Sequence, residues 1–131
     1  MADTVYVTDG GMAIVTNRMA GAGTEPKFIG WGTGATTAAV NNTALQTAAA
    51  PTTVTAVTGT SSRVTTTVTN DTYQVVGTIT AGGTLAITEV ALFDNATISG
   101  AGFFLRGTHD AINVNANDSI EYTIKVKFDQ A

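Results

Sequence analysis

Residues 120–128 read Ile-Glu-Tyr-Thr-Ile-Lys-Val-Lys-Phe, with Ile120, Tyr122, Ile124, Val126 and Phe128 on every second position. Glu121, Thr123, Lys125 and Lys127 fill the positions between them. Successive side chains of a strand point to opposite faces, so this period of two predicts a strand with one buried and one wet face.

Moving toward the N-terminus, Phe103-Phe104-Leu105-Arg106 reads as a further strand. Leu85 to Phe93 reads as another, with Ile87, Glu89, Ala91 and Phe93 on one side, so Glu89 needs a polar partner or a position at the rim. Val64, Thr66 and Val68 alternate with Arg63, Thr65 and Thr67, Asn70-Asp71 supplies a turn, and Tyr73 to Thr80 returns. That pattern predicts a hairpin, and Ala81-Gly82-Gly83 turns the chain again. Pro26 introduces Lys27 to Gly32, a strand that enters the glycine-rich turn Gly32-Thr33-Gly34. Between it and the hairpin lies an excursion over 35–60, rich in Ala, Thr and Asn, in which Leu45 is the large apolar anchor. A short helix is expected over 9–22: Met12, Val15 and Met19 have helical spacing, Asp9 can cap, and Gly21 and Gly23 stop it. Residues 1–8 are expected to form an N-terminal arm. Short strands separated by Gly, Asn and Asp turns, with no helix after Leu45, indicate one mainly β domain over 1–131. The expected architecture is an antiparallel β-sandwich or jelly-roll-like domain with one short N-terminal helix.

Composition narrows the function. Six Lys and Arg against ten Asp and Glu give a net charge of −4. The chain therefore lacks the basic field that binds nucleic acid or anionic membranes. It has no cysteine, which removes disulfides, thiolate metal ligands and thiol nucleophiles. The N-terminal Met-Ala-Asp-Thr-Val-Tyr has neither a basic nor an apolar leader region, so a soluble protein made in a cytoplasm is expected. Only 12% of residues are charged, well under the usual quarter or so. An uncharged Thr and Ala surface can be covered by a neighbour without stranding a charge.

No chemistry-bearing motif survives inspection. Gly30-Trp31-Gly32-Thr33-Gly34 lacks the Lys-Ser/Thr pair of a phosphate loop and the helix of a dinucleotide site, so it reads as a turn of close backbone approach. His109 is the single histidine, beside Asp110, but no nucleophile motif accompanies it. One His without Cys argues against a zinc site, which normally takes three or four Cys, His or carboxylate ligands. Asp71, Asp94 and Asp118 each adjoin an Asn, the composition of turns rather than of a catalytic or calcium pair. Catalytic residues, cofactors and metals are therefore assigned none. Asn41, Asn70, Asn95 and Asn117 begin glycosylation sequons, which carry no weight without a leader.

Thr16-Asn17-Arg18-Met19-Ala20, Phe28 to Gly34 with Leu45 after it, and Ile87-Thr88-Glu89-Val90-Ala91-Leu92-Phe93-Asp94 occur in that order. With them the chain resembles, over most of residues 11–128, small virion proteins of tailed bacteriophages. That group contains capsid decoration (cement) proteins and tail-fibre-like proteins. The resemblance implies no catalytic residues, a place in the virion after assembly in a bacterial cytoplasm, the major capsid protein as partner, and a homo-oligomer, dimer or trimer. A compact chain with neither shaft nor tip favours the decoration role over a tail-fibre or tail-adaptor role. A carbohydrate-binding sandwich is a third reading, with Trp31, Tyr73, Phe103 and Phe104 as its aromatic suppliers. The residues expected to make contacts are Ala2, Thr4, Val5, Tyr6, Val7, Trp31 and Leu45, from the arm, the glycine-rich strand and the excursion.

Overall fold

The computed structural model describes residues 4–49, 56–98 and 102–130. Eight strands and one helix follow in the order β1 (Thr4–Val7), α1 (Asp9–Met19), β2 (Phe28–Gly32), β3 (Val57–Thr58), β4 (Thr60–Val64), β5 (Thr72–Thr80), β6 (Leu85–Phe93), β7 (Phe103–Val114) and β8 (Ser119–Lys127). They build two antiparallel sheets, one ordered β1-β7-β6-β2-β3 and the other β4-β5-β8. The mainly β fold expected from the sequence, with one short helix near the N-terminus, is the fold observed.

The sheets face each other across one apolar core. Ile29, Trp31, Val90, Leu92 and Leu105 from the larger sheet meet Val75, Ile79 and Ile124 from the smaller. β8 behaves as its period demands. Ile124 is buried and Ile120, Tyr122 and Val126 are half-buried, while Glu121, Thr123, Lys125 and Lys127 are exposed. The chain changes sheets between β3 and β4 at Gly59, whose amide donates to the Lys27 carbonyl at 2.8 Å. A Cβ at Gly59 would lie 2.6 Å from Val75 Cγ1, so this corner admits only glycine.

The large sheet is covered on its other face as well. Leu45, Ala56, Ala91, Phe93, Ile98 and Phe103 form a second cluster there, with Phe93 and Phe103 edge to face at 5.3 Å between ring centroids. Two-sided burial explains why β6 reads as a nearly unbroken apolar run.

Four local expectations change. The cap of α1 is Thr8 rather than Asp9: Thr8 Oγ1 accepts from the Gly11 amide at 3.1 Å, and Asp9 sits in the first turn, where its charge suits the helix dipole. The arm is partly a strand, since Thr4–Val7 pairs with Leu105–Thr108 of β7. The first strand of the hairpin is Thr60–Val64, not 63–68, because the Asp71 carboxylate takes the amides of Thr66, Thr67 and Val68 for itself. Finally, a register shift between Ile87 and Glu89 rotates Ile87 into the core between the sheets with Val90 and Leu92, away from the side of Glu89, Ala91 and Phe93.

Candidate interaction surface

The seven residues expected to make contacts divide sharply. Trp31 is fully buried and Leu45 is 7% exposed, so both are anchors of the chain's own core and offer no surface to a partner. Thr4 and Val7 are half-buried, while Val5 and Tyr6 stand 55% and 43% exposed on β1. Ala2 lies outside the described residues.

The excursion is tied down from within. Of its described parts, residues 35–49 lie over the outer face of the large sheet and bury Ala38, Leu45 and Ala49, whereas 56–60 are no loop but hold β3, paired with β2, and the start of β4. Beneath residues 35–49, Glu89 of β6 and Arg106 of β7 are both sealed from water, with Arg106 Nη2 3.4 Å from Glu89 Oε2. The Gln46 amide donates to Glu89 Oε1 at 2.6 Å, Arg106 Nη1 donates to Asn42 Oδ1 at 3.1 Å, and Arg106 Nη2 reaches Thr36 Oγ1 at 3.3 Å. Asn42 Oδ1 also accepts from the Ala39 amide, Gln46 Oε1 from the Thr36 amide, and the Thr88 hydroxyl donates to the Gly34 carbonyl. Glu89 thus has the polar partner its sequence position required. A side chain at Gly34 would strike the Glu89 carboxylate and Gln46, so the glycine-rich stretch leaves room for a buried ion pair. Such a pair needs its remaining lone pairs and protons satisfied; the loop supplies partners for the Glu89 carboxylate and for both terminal nitrogens of Arg106, while Arg106 Nε stays buried without one. Residues 35–49 are thus held in place by the chain's own groups.

The Asp-Asn turns are structural too. Asp71 accepts three backbone amides and the Thr72 hydroxyl, which hold its carboxyl well below the usual carboxylate range, the Val68 amide contributing most. Asp118 accepts from the Asn115 amide at 2.8 Å and Asp94 from the Asn95 side chain at 2.8 Å. His109 bridges the sheets: its Nε2 lies 3.0 Å from the Tyr122 hydroxyl and its Nδ1 2.8 Å from the Asp110 carbonyl oxygen. Burial pushes the Tyr122 hydroxyl far above its usual value. Among the described residues no group of three or more His, Cys, Asp or Glu converges as metal ligands would, and no helix is long and apolar enough to cross a membrane.

Large apolar side chains stand exposed in several places among the described residues, Val40, Val68, Ile112 and Phe128 included, and four of them lie near the N-terminus. Val5 and Tyr6 on β1 are followed on α1 by Met12, 62% exposed, and Met19, 84% exposed. Between α1 and the smaller sheet runs a groove of about 340 Å³ lined by apolar Ile14, Val15, Phe104 and Val126 and by charged Arg18 and Glu25 among others. The sequence places contact residues in the arm that holds β1, but gives no sign that Met12 and Met19 face outward. Their helical spacing with Val15 suggested a buried stripe, whereas Gly11 and Ile14 are the buried helix residues. Compared with known proteins, the chain matches no family model, no curated protein and no solved structure.

Proposed function

We propose that this chain is a structural protein of a tailed-bacteriophage virion, a decoration protein that binds and stabilises the head lattice through its N-terminal strand and helix. The observation that carries the reading is the exposure of Val5, Tyr6, Met12 and Met19 on β1 and α1 of a chain that is otherwise poor in charge. Exposed large apolar side chains mark contact surfaces, and those of β1 can be covered without desolvating a charge, whereas Met19 on α1 adjoins exposed Arg18. The motifs that resemble virion proteins hold structural positions in this chain. Phe28 to Gly34 and Ile87 to Asp94 hold the paired strands β2 and β6, and Glu89 is the buried anchor of the loop that contains Leu45.

The carbohydrate-binding reading loses its footing. Trp31, Phe103 and Phe104 are buried and Tyr73 is half-buried, with its hydroxyl bonded to the Pro26 carbonyl and Glu25. No flat platform for a sugar ring is left among the suppliers named for it.

The test is to add purified protein to heads that lack it and to measure occupancy and resistance to heat. Saturable binding that raises the disruption temperature is expected. Binding to isolated tails but not to heads would replace the decoration role with the tail-fibre or tail-adaptor role.

A further inference from the structure

The end strands of the two sheets are β1 and β3 in one and β4 and β8 in the other. An end strand presents unpaired N–H and C=O groups, and proteins blunt such edges with brevity, charge or bulges. β3 has only two residues, β4 carries Arg63, and β8 exposes Glu121, Lys125 and Lys127. Beyond Thr108, where its pairing with β1 stops, β7 is irregular: residues 109–111 fall opposite the single Thr88, and His109 and Asp110 lie in that bulge. β1 is short as well, at four residues, but carries neither a charge nor a bulge. Thr4, Val5, Tyr6 and Val7 are uncharged, keep an unbroken register with β7, and present Val5 and Tyr6 to solvent.

We infer that β1 is a self-pairing edge, through which two copies of this chain join antiparallel along Thr4–Val7 and their five-stranded sheets become continuous across a twofold axis. A second copy suits this edge because an uncharged strand meets itself without like-charge repulsion in any register. A twofold contact also satisfies both edges at once and leaves neither open to further addition. The inference rests on reading the chain as a self-associating structural protein, not on which lattice it joins. Four residues a side make a contact smaller than those that hold alone, so pairing strengthens where copies are crowded.

Geometry makes the pairing specific. Opposed residues of an antiparallel pair share a face, and a twofold axis normal to the sheet preserves faces. Residues facing each other across the axis therefore have numbers of like parity, and the axis passes through Val5 or through Tyr6, never between them.

The chain has no cysteine, so single Val5→Cys and Tyr6→Cys variants report directly. Val68→Cys, at a position 60% exposed and far from β1 in sequence, is the control. The purified variants are oxidised mildly and disulfide dimers are followed with time on non-reducing gels. One β1 variant is expected to crosslink several times faster than Val68→Cys and the other is not, because only the residue on the axis meets its own mate within disulfide reach. Equal rates in the two β1 variants, or neither exceeding the control, would overturn the inference. Head binding is scored separately: its loss with selective crosslinking intact strikes the decoration role alone, and failure of crosslinking with head binding intact strikes this inference alone.

Discussion

Glu89 and Arg106 are charged side chains in a chain that has few, and both are shut away from water beneath a loop of small residues. Desolvation makes such a pair a poor source of stability in itself, yet removing one partner strands the other charge and costs about 3–5 kcal/mol. Arg106→Met is expected to destabilise by that order in chemical denaturation. The double variant with Glu89→Met is expected to lose less than the sum of the two single losses, because neither charge is then left alone. A second residue-scale effect belongs to Asp71. Its carboxyl is held well below the usual range in the folded chain, so its contribution is present above the unfolded pKa of about 4 and fades as the pH falls below that. Asp71→Asn should lower the melting temperature at neutral pH and flatten the acid limb below about pH 4 relative to wild type. Unchanged melting at both pH values would show that the turn does not depend on the carboxylate.

Each strand takes its face from the period of two, and β8 shows how far this reaches. Ile124 faces the core opposite Val75, whereas its neighbour Lys125 faces water. Ile124→Asp is expected to abolish soluble folding by burying an unpaired charge, while Lys125→Ala should shift stability by no more than about 0.5 kcal/mol. Comparable losses in the two variants, read by yield and denaturant midpoint, would mean that the faces are reversed. β6 shows where the period stops being a guide. One register shift at Thr88 places Ile87 between the sheets while Glu89, Ala91 and Phe93 stay on the outer face. The hairpin shows the same from another cause, since the competing hydrogen bonds of Asp71 end β4 at Val64 although the alternation continues to Val68.

At the scale of the whole molecule, two sheets, a helix and a pinned loop leave Val40, Val68, Ile112 and Phe128 exposed, as well as Val5, Tyr6, Met12 and Met19 of β1 and α1. A contact made by these residues releases few counterions, so binding to heads should change little between low and high salt. A steep loss of occupancy with added salt, measured by sedimentation of heads with bound protein, would point instead to an electrostatic contact.

By itself the sequence determined the fold class, the two faces of β8, the turns at Asn70-Asp71 and Ala81 to Gly83, and the requirement that Glu89 be partnered. All of these follow from local periodicity, turn chemistry and the cost of a buried charge. Only the tertiary structure decided that Arg106 is that partner, that Trp31 and Leu45 face inward, that the chain switches sheets at Gly59, and that β7 runs on to Val114 through a polar stretch. Each depends on which distant strand lies alongside. A side chain's period says that it has two faces to choose between, but what covers each face is set by contacts between residues far apart in the chain.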